Sequence, residues 1–220
     1  MSLVKLVEVW YRYPGSNEYA LKNINIELNR SKIYLVTGPN GAGKTTLLLV
    51  MAGLLKPTRG SVYFNNELIH KQVPSVRRYI GLLFQNPETM LFNPTVYDEI
   101  AYALRQIHRD HKIIDNIINN VFTELEIDRG LLEKPTHMLS YGEKKLVALA
   151  SIIAYNPTLL LLDEPYTNLS KKYIDKINEL ITRYREEGRT IVIVSHDTTY
   201  CRYIVDQTFY MDSGKIINTI

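Results

Sequence analysis

The stretch Gly38-Pro39-Asn40-Gly41-Ala42-Gly43-Lys44-Thr45 constrains this chain more than any other part of it. It fits the pattern G-x-x-x-x-G-K-[ST], and the apolar run Ile33 to Thr37 stops against its first glycine. A helix is expected on the other side, from Thr45 to about Leu55, where Lys56-Pro57 stops it. A glycine-rich turn between strand and helix lets successive backbone N–H groups point inward, and the helix N-terminus adds partial positive charge. Such a turn is a cradle for phosphate oxygens. Lys44 can reach the outer phosphates of a nucleotide, and the Thr45 hydroxyl can ligate Mg²⁺.

The elements around this loop set the fold class. Val4 to Tyr11 and Ile24 to Leu28 alternate apolar and polar residues, as half-buried strands do. Val62 to Phe64, the Asn65-Asn66 turn and Tyr79 to Phe84 continue a strand-rich first third. In the middle, Ile113, Ile114, Ile117, Ile118, Val121, Phe122 and Leu125 recur at helical spacing, predicting a helix from about Asp110 to Glu126. Leu146, Val147, Leu149, Ala150, Ile153 and Ala154 predict a second. The last third runs strand, helix, strand: Leu159 to Leu162, Tyr173 to Arg185 closed by Gly188, and Ile191 to Val194. Alternation of that kind implies an α/β fold with a parallel sheet covered on both faces. One domain over 1–220 is expected, with about 1–85 and 156–220 as its α/β core and about 86–155 as an inserted helical lobe.

Composition removes several function classes. With 45% hydrophobic and 22% charged residues in 220, the chain is neither disordered nor collagen-like. Its longest uncharged apolar run, Thr45 to Leu55, is too short to cross ~30 Å of hydrocarbon. Met1 to Trp10 carries Lys5 and Glu8 and does not read as a signal peptide. Cys201 is the only cysteine, which excludes an intrachain disulfide and suggests a cytosolic compartment. A net charge of +3, from 26 basic and 23 acidic residues, gives no argument for nucleic acid as a partner.

Four further places can carry chemistry. Asp163 and Glu164 end the four-leucine run, and parallel sheets bind ligands beyond the carboxyl ends of their strands. Asp163 is therefore expected to hold Mg²⁺ through water, and Glu164 to act as general base on an attacking water. His196 ends the run Ile191 to Ser195 and can contact the terminal phosphate or position that water. Gln85 ends the strand Tyr79 to Phe84, where its amide oxygen can complete the metal shell. Ser140 and Glu143 have capping-box spacing, and a capped helix start with a serine hydroxyl and the Gly142 N–H is also an anion site.

In this order, these pieces resemble the nucleotide-binding subunit of ATP-binding cassette (ABC) transporters over essentially the whole chain. GPNGAGKT is similar to the Walker A loop, and Gln85 to the Q-loop glutamine. LSYGE is similar to the LSGGQ signature, LLLLDEP to Walker B, and His196 to the switch histidine. The resemblance implies a P-loop core with a parallel sheet, an N-terminal antiparallel β subdomain and the inserted helical lobe. It implies ATP and Mg²⁺ as cofactors. Gly38, Pro39, Asn40, Gly41, Ala42, Gly43, Lys44, Thr45 and Thr46 would bind the nucleotide, with Tyr13, Trp10 or Tyr11 stacking on its adenine. Thr45, Gln85 and Asp163 would hold the metal, and Glu164, His196, Lys44 and Gln85 would carry catalysis. Ser140 and Gly142 would contact the γ-phosphate bound to a second subunit, in a homo- or heterodimer.

Phe84-Gln85-Asn86-Pro87-Glu88-Thr89-Met90-Leu91-Phe92, followed by Thr95-Val96, narrows the resemblance to the ATPases of energy-coupling factor importers. That likeness implies a transmembrane partner subunit, a peripheral place on the cytoplasmic face of the membrane, and docking on an exposed Met90-Leu91-Phe92 patch. Relatives of this kind often carry a C-terminal extension, and the sequence here ends at Ile220. Three positions depart from the family pattern. Tyr141 replaces the first signature glycine, Glu143 its glutamine, and Ser170 the D-loop aspartate. The other functions weighed are a soluble ABC ATPase outside transport and the slow regulatory half of a heterodimer.

Overall fold

The computed structural model describes residues 2–71 and 73–220; Met1 and Gln72, which the expected single domain includes, lie outside the described residues. The chain order is β1 (Ser2–Tyr11), β2 (Leu21–Asn29), β3 (Ile33–Thr37), α1 (Lys44–Met51), β4 (Arg59–Phe64), β5 (Glu67–Leu68) and α2 (Val73–Val76). It continues through β6 (Ile80–Leu83), α3 (Val96–Leu104), α4 (His111–Glu124), α5 (Tyr141–Ile153), β7 (Leu159–Asp163), α6 (Lys171–Glu186), β8 (Thr190–Val194), β9 (Gln207–Asp212) and β10 (Lys215–Thr219).

Two sheets form. One is antiparallel, in the order β2-β1-β4-β5. The other runs β10-β9-β3-β8-β7-β6 and is parallel except for its β9–β10 hairpin. The short apolar runs are the centre of this second sheet, and their period of two explains why they are apolar throughout. Ile33 and Leu35, Leu160 and Leu162, Ile191 and Ile193 face the layer built from α3, α4, α5 and α6. Tyr34 and Val36, Leu159 and Leu161, Val192 and Val194 face the other way, towards α1 and the antiparallel sheet. The sheet thus separates two cores, and its carboxyl edge is where they meet.

The helices of the middle segment are locally specified. Asp110 caps α4 by accepting from the Lys112 N–H (2.8 Å), and Ser140 and Glu143 close a reciprocal capping box on α5. α5 lies against the sheet at Gly81, where an added Cβ would come within 2.3 Å of Ile152. The expected helix after the glycine loop stops at Met51 rather than Leu55, because Gly53 turns the chain at φ +71°.

Candidate active site

The loop after β3 owes its shape to two close approaches. Gly38, at φ +143°, lies so near β9 that a Cβ there would sit 2.0 Å from the Met211 carbonyl oxygen. Gly43 caps α1 at φ +98°, and a Cβ would meet the Ala20 carbonyl at 2.5 Å. Both positions need glycine. The loop closes on itself through Lys44, 8% exposed, whose Nζ donates to the carbonyls of Gly38 (2.8 Å) and Pro39 (2.9 Å). Ala42 is buried beneath it and accepts from the Gly214 N–H, so the β9–β10 turn braces the cradle.

A cavity of about 540 Å³ opens over this loop. Asn40, Gly41, Gly43, Lys44, Thr45 and Thr46 form its floor, and Asp163, Glu164, Gln85 and His196 reach it from three other strand ends. Tyr13 and Ala20 complete the wall. Of the three candidate aromatics only Tyr13 arrives there. Tyr11 is buried, Trp10 sits edge-on to Tyr19, and the Tyr13 hydroxyl shares a 3.0 Å hydrogen bond with Thr46 Oγ1. Pro39 belongs to the cradle without lining the cavity.

Within the cavity, Thr45 Oγ1 donates to Asp163 Oδ2 at 2.7 Å, so a hydroxyl and a carboxylate already converge. Burial pushes the Asp163 carboxyl above the usual carboxylate range, and the hydrogen bond from Thr45 pulls the other way. Glu164 is 7% exposed and held in the left-handed region at φ +47°. A long side chain there costs of order 1–3 kcal/mol unless its surroundings fix it. They do. Oε1 accepts from the His196 N–H (2.9 Å) and meets His196 Nδ1 at 2.7 Å, while Oε2 accepts from Ser195 Oγ (3.2 Å). An Nδ1–H bonded to the carboxylate leaves Nε2 free. Four acceptor sites on a carboxylate, with three in use, leave one for a water proton.

The chain matches the ABC transporter family over residues 21–167. It belongs to that family and is an ATPase of the ABC type. It is 34% identical to the energy-coupling factor transporter ATP-binding protein of Methanocaldococcus jannaschii, a match covering 99% of this chain and 78% of that protein. Its fold superposes on CbiO1 of Clostridium perfringens, described as part of the ABC transporter complex CbiONQ, with a TM-score of 0.87 at 33% identity, covering 99% and 88% of the two chains. The ATP-binding cassette MJ0796, solved as a dimer in a post-hydrolysis state with ADP and Pi, superposes with a TM-score of 0.91 at 28% identity over 99% and 98%.

In this ABC ATPase the 139–143 segment, expected to be the signature, does not reach the chain's own cavity. Ser140 is exposed at the start of α5, with its Oγ accepting from the Glu143 N–H, and neither it nor Gly142 lines the site. The patch expected at Met90, Leu91 and Phe92 needs correction. Met90 and Leu91 pack against the helical core, and the Met90 sulfur accepts from the Phe84 N–H (3.3 Å). Only Phe92 stands out, 67% exposed and edge-on to the exposed Tyr102. Ser195, Ala20 and Lys145 are neighbours of the site that sequence reasoning passes over. Lys145 had a signal: it falls four residues before Leu149, on the inward face of α5.

Proposed function

We propose that this ABC ATPase hydrolyses Mg-ATP at sites shared between two head-to-tail subunits, and so drives import through separate transmembrane subunits. The observation that carries the reading is a division of parts. Cradle, carboxylates and switch histidine converge on one cavity, while an exposed Ser140 and a half-buried Gly142 lie elsewhere on the chain, outside its lining. A signature that points away from its own cradle suits a second copy's nucleotide, and MJ0796 was solved as a dimer. The likeness to energy-coupling factor and CbiO proteins supports import.

The chemistry assigned to each residue follows from its chemical type and place. Backbone N–H groups of residues 40–45 and the Lys44 ammonium hold the phosphates, and Tyr13 offers an aromatic face to the base. Thr45, Asp163 and Gln85 are hard oxygen donors of the kind Mg²⁺ accepts beside substrate phosphates and water, so they would hold it. When bound, the ion neutralises charge on the transferred phosphoryl group. Glu164 takes a proton from the attacking water as that water's oxygen bonds to the γ-phosphorus and the bond to the bridging oxygen breaks. His196 holds the carboxylate through Nδ1 and has Nε2 left for the phosphoryl oxygens.

Peripheral attachment to the membrane fits the absence, among the described residues, of any helix long and apolar enough to cross it. The Phe92–Tyr102 pair is the docking surface we assign to the transmembrane subunit, since two large exposed rings in contact offer a contiguous apolar face to a partner. Phe92→Asp should release the chain from native membranes, read by sedimentation, with ATP affinity unchanged. Membrane association equal to wild type would contradict the assignment.

Ser170 favours a second reading, a slow half of a heterodimer. It caps α6 without any side-chain cap bond and is exposed, so its hydroxyl has no hydrogen-bond partner among the described residues. Aspartate caps a helix as well as serine does, so Ser170→Asp should leave folding stability within about 0.5 kcal/mol. It restores charge-assisted contacts across the interface, roughly twice as strong as neutral ones. kcat at saturating Mg-ATP is expected to rise with KM little changed; a level or lower kcat would remove this reading.

A further inference from the structure

Lys145 is 0% exposed, and its ammonium lies where neither the phosphate chemistry nor the signature accounts for it. It projects from the second turn of α5 to the far side of the Glu164 backbone. Nζ donates to the Glu164 carbonyl at 2.7 Å and to the Thr167 carbonyl at 3.4 Å. Those two residues are the ends of a tight turn, closed by the Thr167 N–H on the same Glu164 oxygen (3.4 Å). The ammonium therefore clamps both ends of the turn that starts at the base.

Burying a cation costs several kcal/mol unless it is paired and hydrogen-bonded, and an apolar side chain would fill the space without that cost. The charged groups facing this one are Asp163 and Glu164, from the end of β7, with the Tyr141 ring 5.6 Å away on its own helix. Burial lowers the Lys145 pKa to about 8 against the pull of those carboxylates. The turn needs a clamp because Glu164 stands at φ +47°, a conformation that relaxes unless both its flanks are held. On one flank the Glu164 N–H donates to the Val194 carbonyl at 2.9 Å. On the other there is Lys145.

We infer that Lys145 is a positioning residue for ATP hydrolysis, holding the Glu164 turn so that the carboxylate stays aimed at the water, and tying the signature helix to the base of its own subunit. This deepens the proposed mechanism and rests on Glu164 acting as the base. It touches neither nucleotide nor reacting atoms.

The test compares Lys145→Met with Lys145→Gln, two side chains of equal length, each one atom shorter than lysine, of which only glutamine can donate. Melting temperature and ATP affinity are read beside kcat and KM, with Glu164→Gln as control. In Lys145→Met, kcat should fall about 10–100-fold with KM and ATP affinity within about threefold, as small misplacements of a reacting group do. In Lys145→Gln the loss should be about 3–10-fold, because donation survives at longer reach. A wild-type kcat in Lys145→Met, or equal losses in the two variants, would overturn the inference while Glu164→Gln remained inactive. A wild-type rate in Glu164→Gln would overturn the base and the inference together. Should Lys145→Met fail to fold, Lys145→Gln decides alone: its 3–10-fold loss at constant KM supports the clamp, and an unchanged kcat overturns it.

Discussion

Replacing Glu164 with glutamine is expected to lower kcat by about 10²–10⁴-fold, the usual contribution of a positioned general base. The substitution preserves length, and the amide oxygen can still accept from the His196 N–H or Ser195 Oγ. An amide cannot take the proton from water; with its oxygen at the His196 N–H, its NH₂ faces the Ser195 hydroxyl, which can accept as well as donate, so the fold loses little while the chemical step loses its base. ATP binding should survive, because the cradle and Lys44 are untouched. Bound ATP that is not cleaved should then hold the dimer closed, since the partner's signature contacts need the γ-phosphate. Single-turnover hydrolysis and sedimentation with Mg-ATP read both effects. Turnover within about twofold of wild type would contradict the base assignment; a chain that stays monomeric at high concentration would count against homodimer closure and leave the heterodimer reading.

Lys44→Ala should have the other large effect, read first in ATP binding. The ammonium is folded into its own loop, bonded to the Gly38 and Pro39 carbonyls. Loss of the side chain removes the cradle's full positive charge and leaves two carbonyls without a donor. Charge-assisted hydrogen bonds of this kind contribute about 1.5–3 kcal/mol, so ATP affinity should weaken about 10–100-fold. Titration calorimetry measures it. An affinity equal to wild type would mean that the phosphates lie elsewhere.

Much of this molecule is legible from local pattern. The glycine loop, the apolar strands of the parallel sheet and the helices α4 and α6 each carry their own signal, in spacing, capping or burial on both faces. What was missed depends on tertiary contact. α3 is capped by Thr95, which accepts from the Asp98 N–H, but which of its faces is covered is settled by packing on α5 and α4. The hairpin β9–β10 exists because β9 pairs with β3 and its turn supports Ala42. Tyr13 could not be separated from Trp10 and Tyr11 by sequence, since three aromatics within four positions differ only in where the chain leaves β1. The Met90-Leu91-Phe92 run misled for a related reason. Apolar residues in a loop look exposed until a neighbouring helix is known to cover two of them. Lys145 was hidden by the expectation that a lysine on an amphipathic helix points to water.

The most direct test of shared-site hydrolysis is the ATPase rate of a mixture. Lys44→Ala keeps its signature and loses its cradle; Ser140→Arg keeps its cradle and blocks its signature with a bulky side chain. Each homodimer then has two broken sites. A mixed dimer has one intact site, made from the cradle of one chain and the signature of the other, so an equal mixture should recover roughly a quarter of the wild-type rate. A mixture no faster than the sum of its two inactive components would contradict the account.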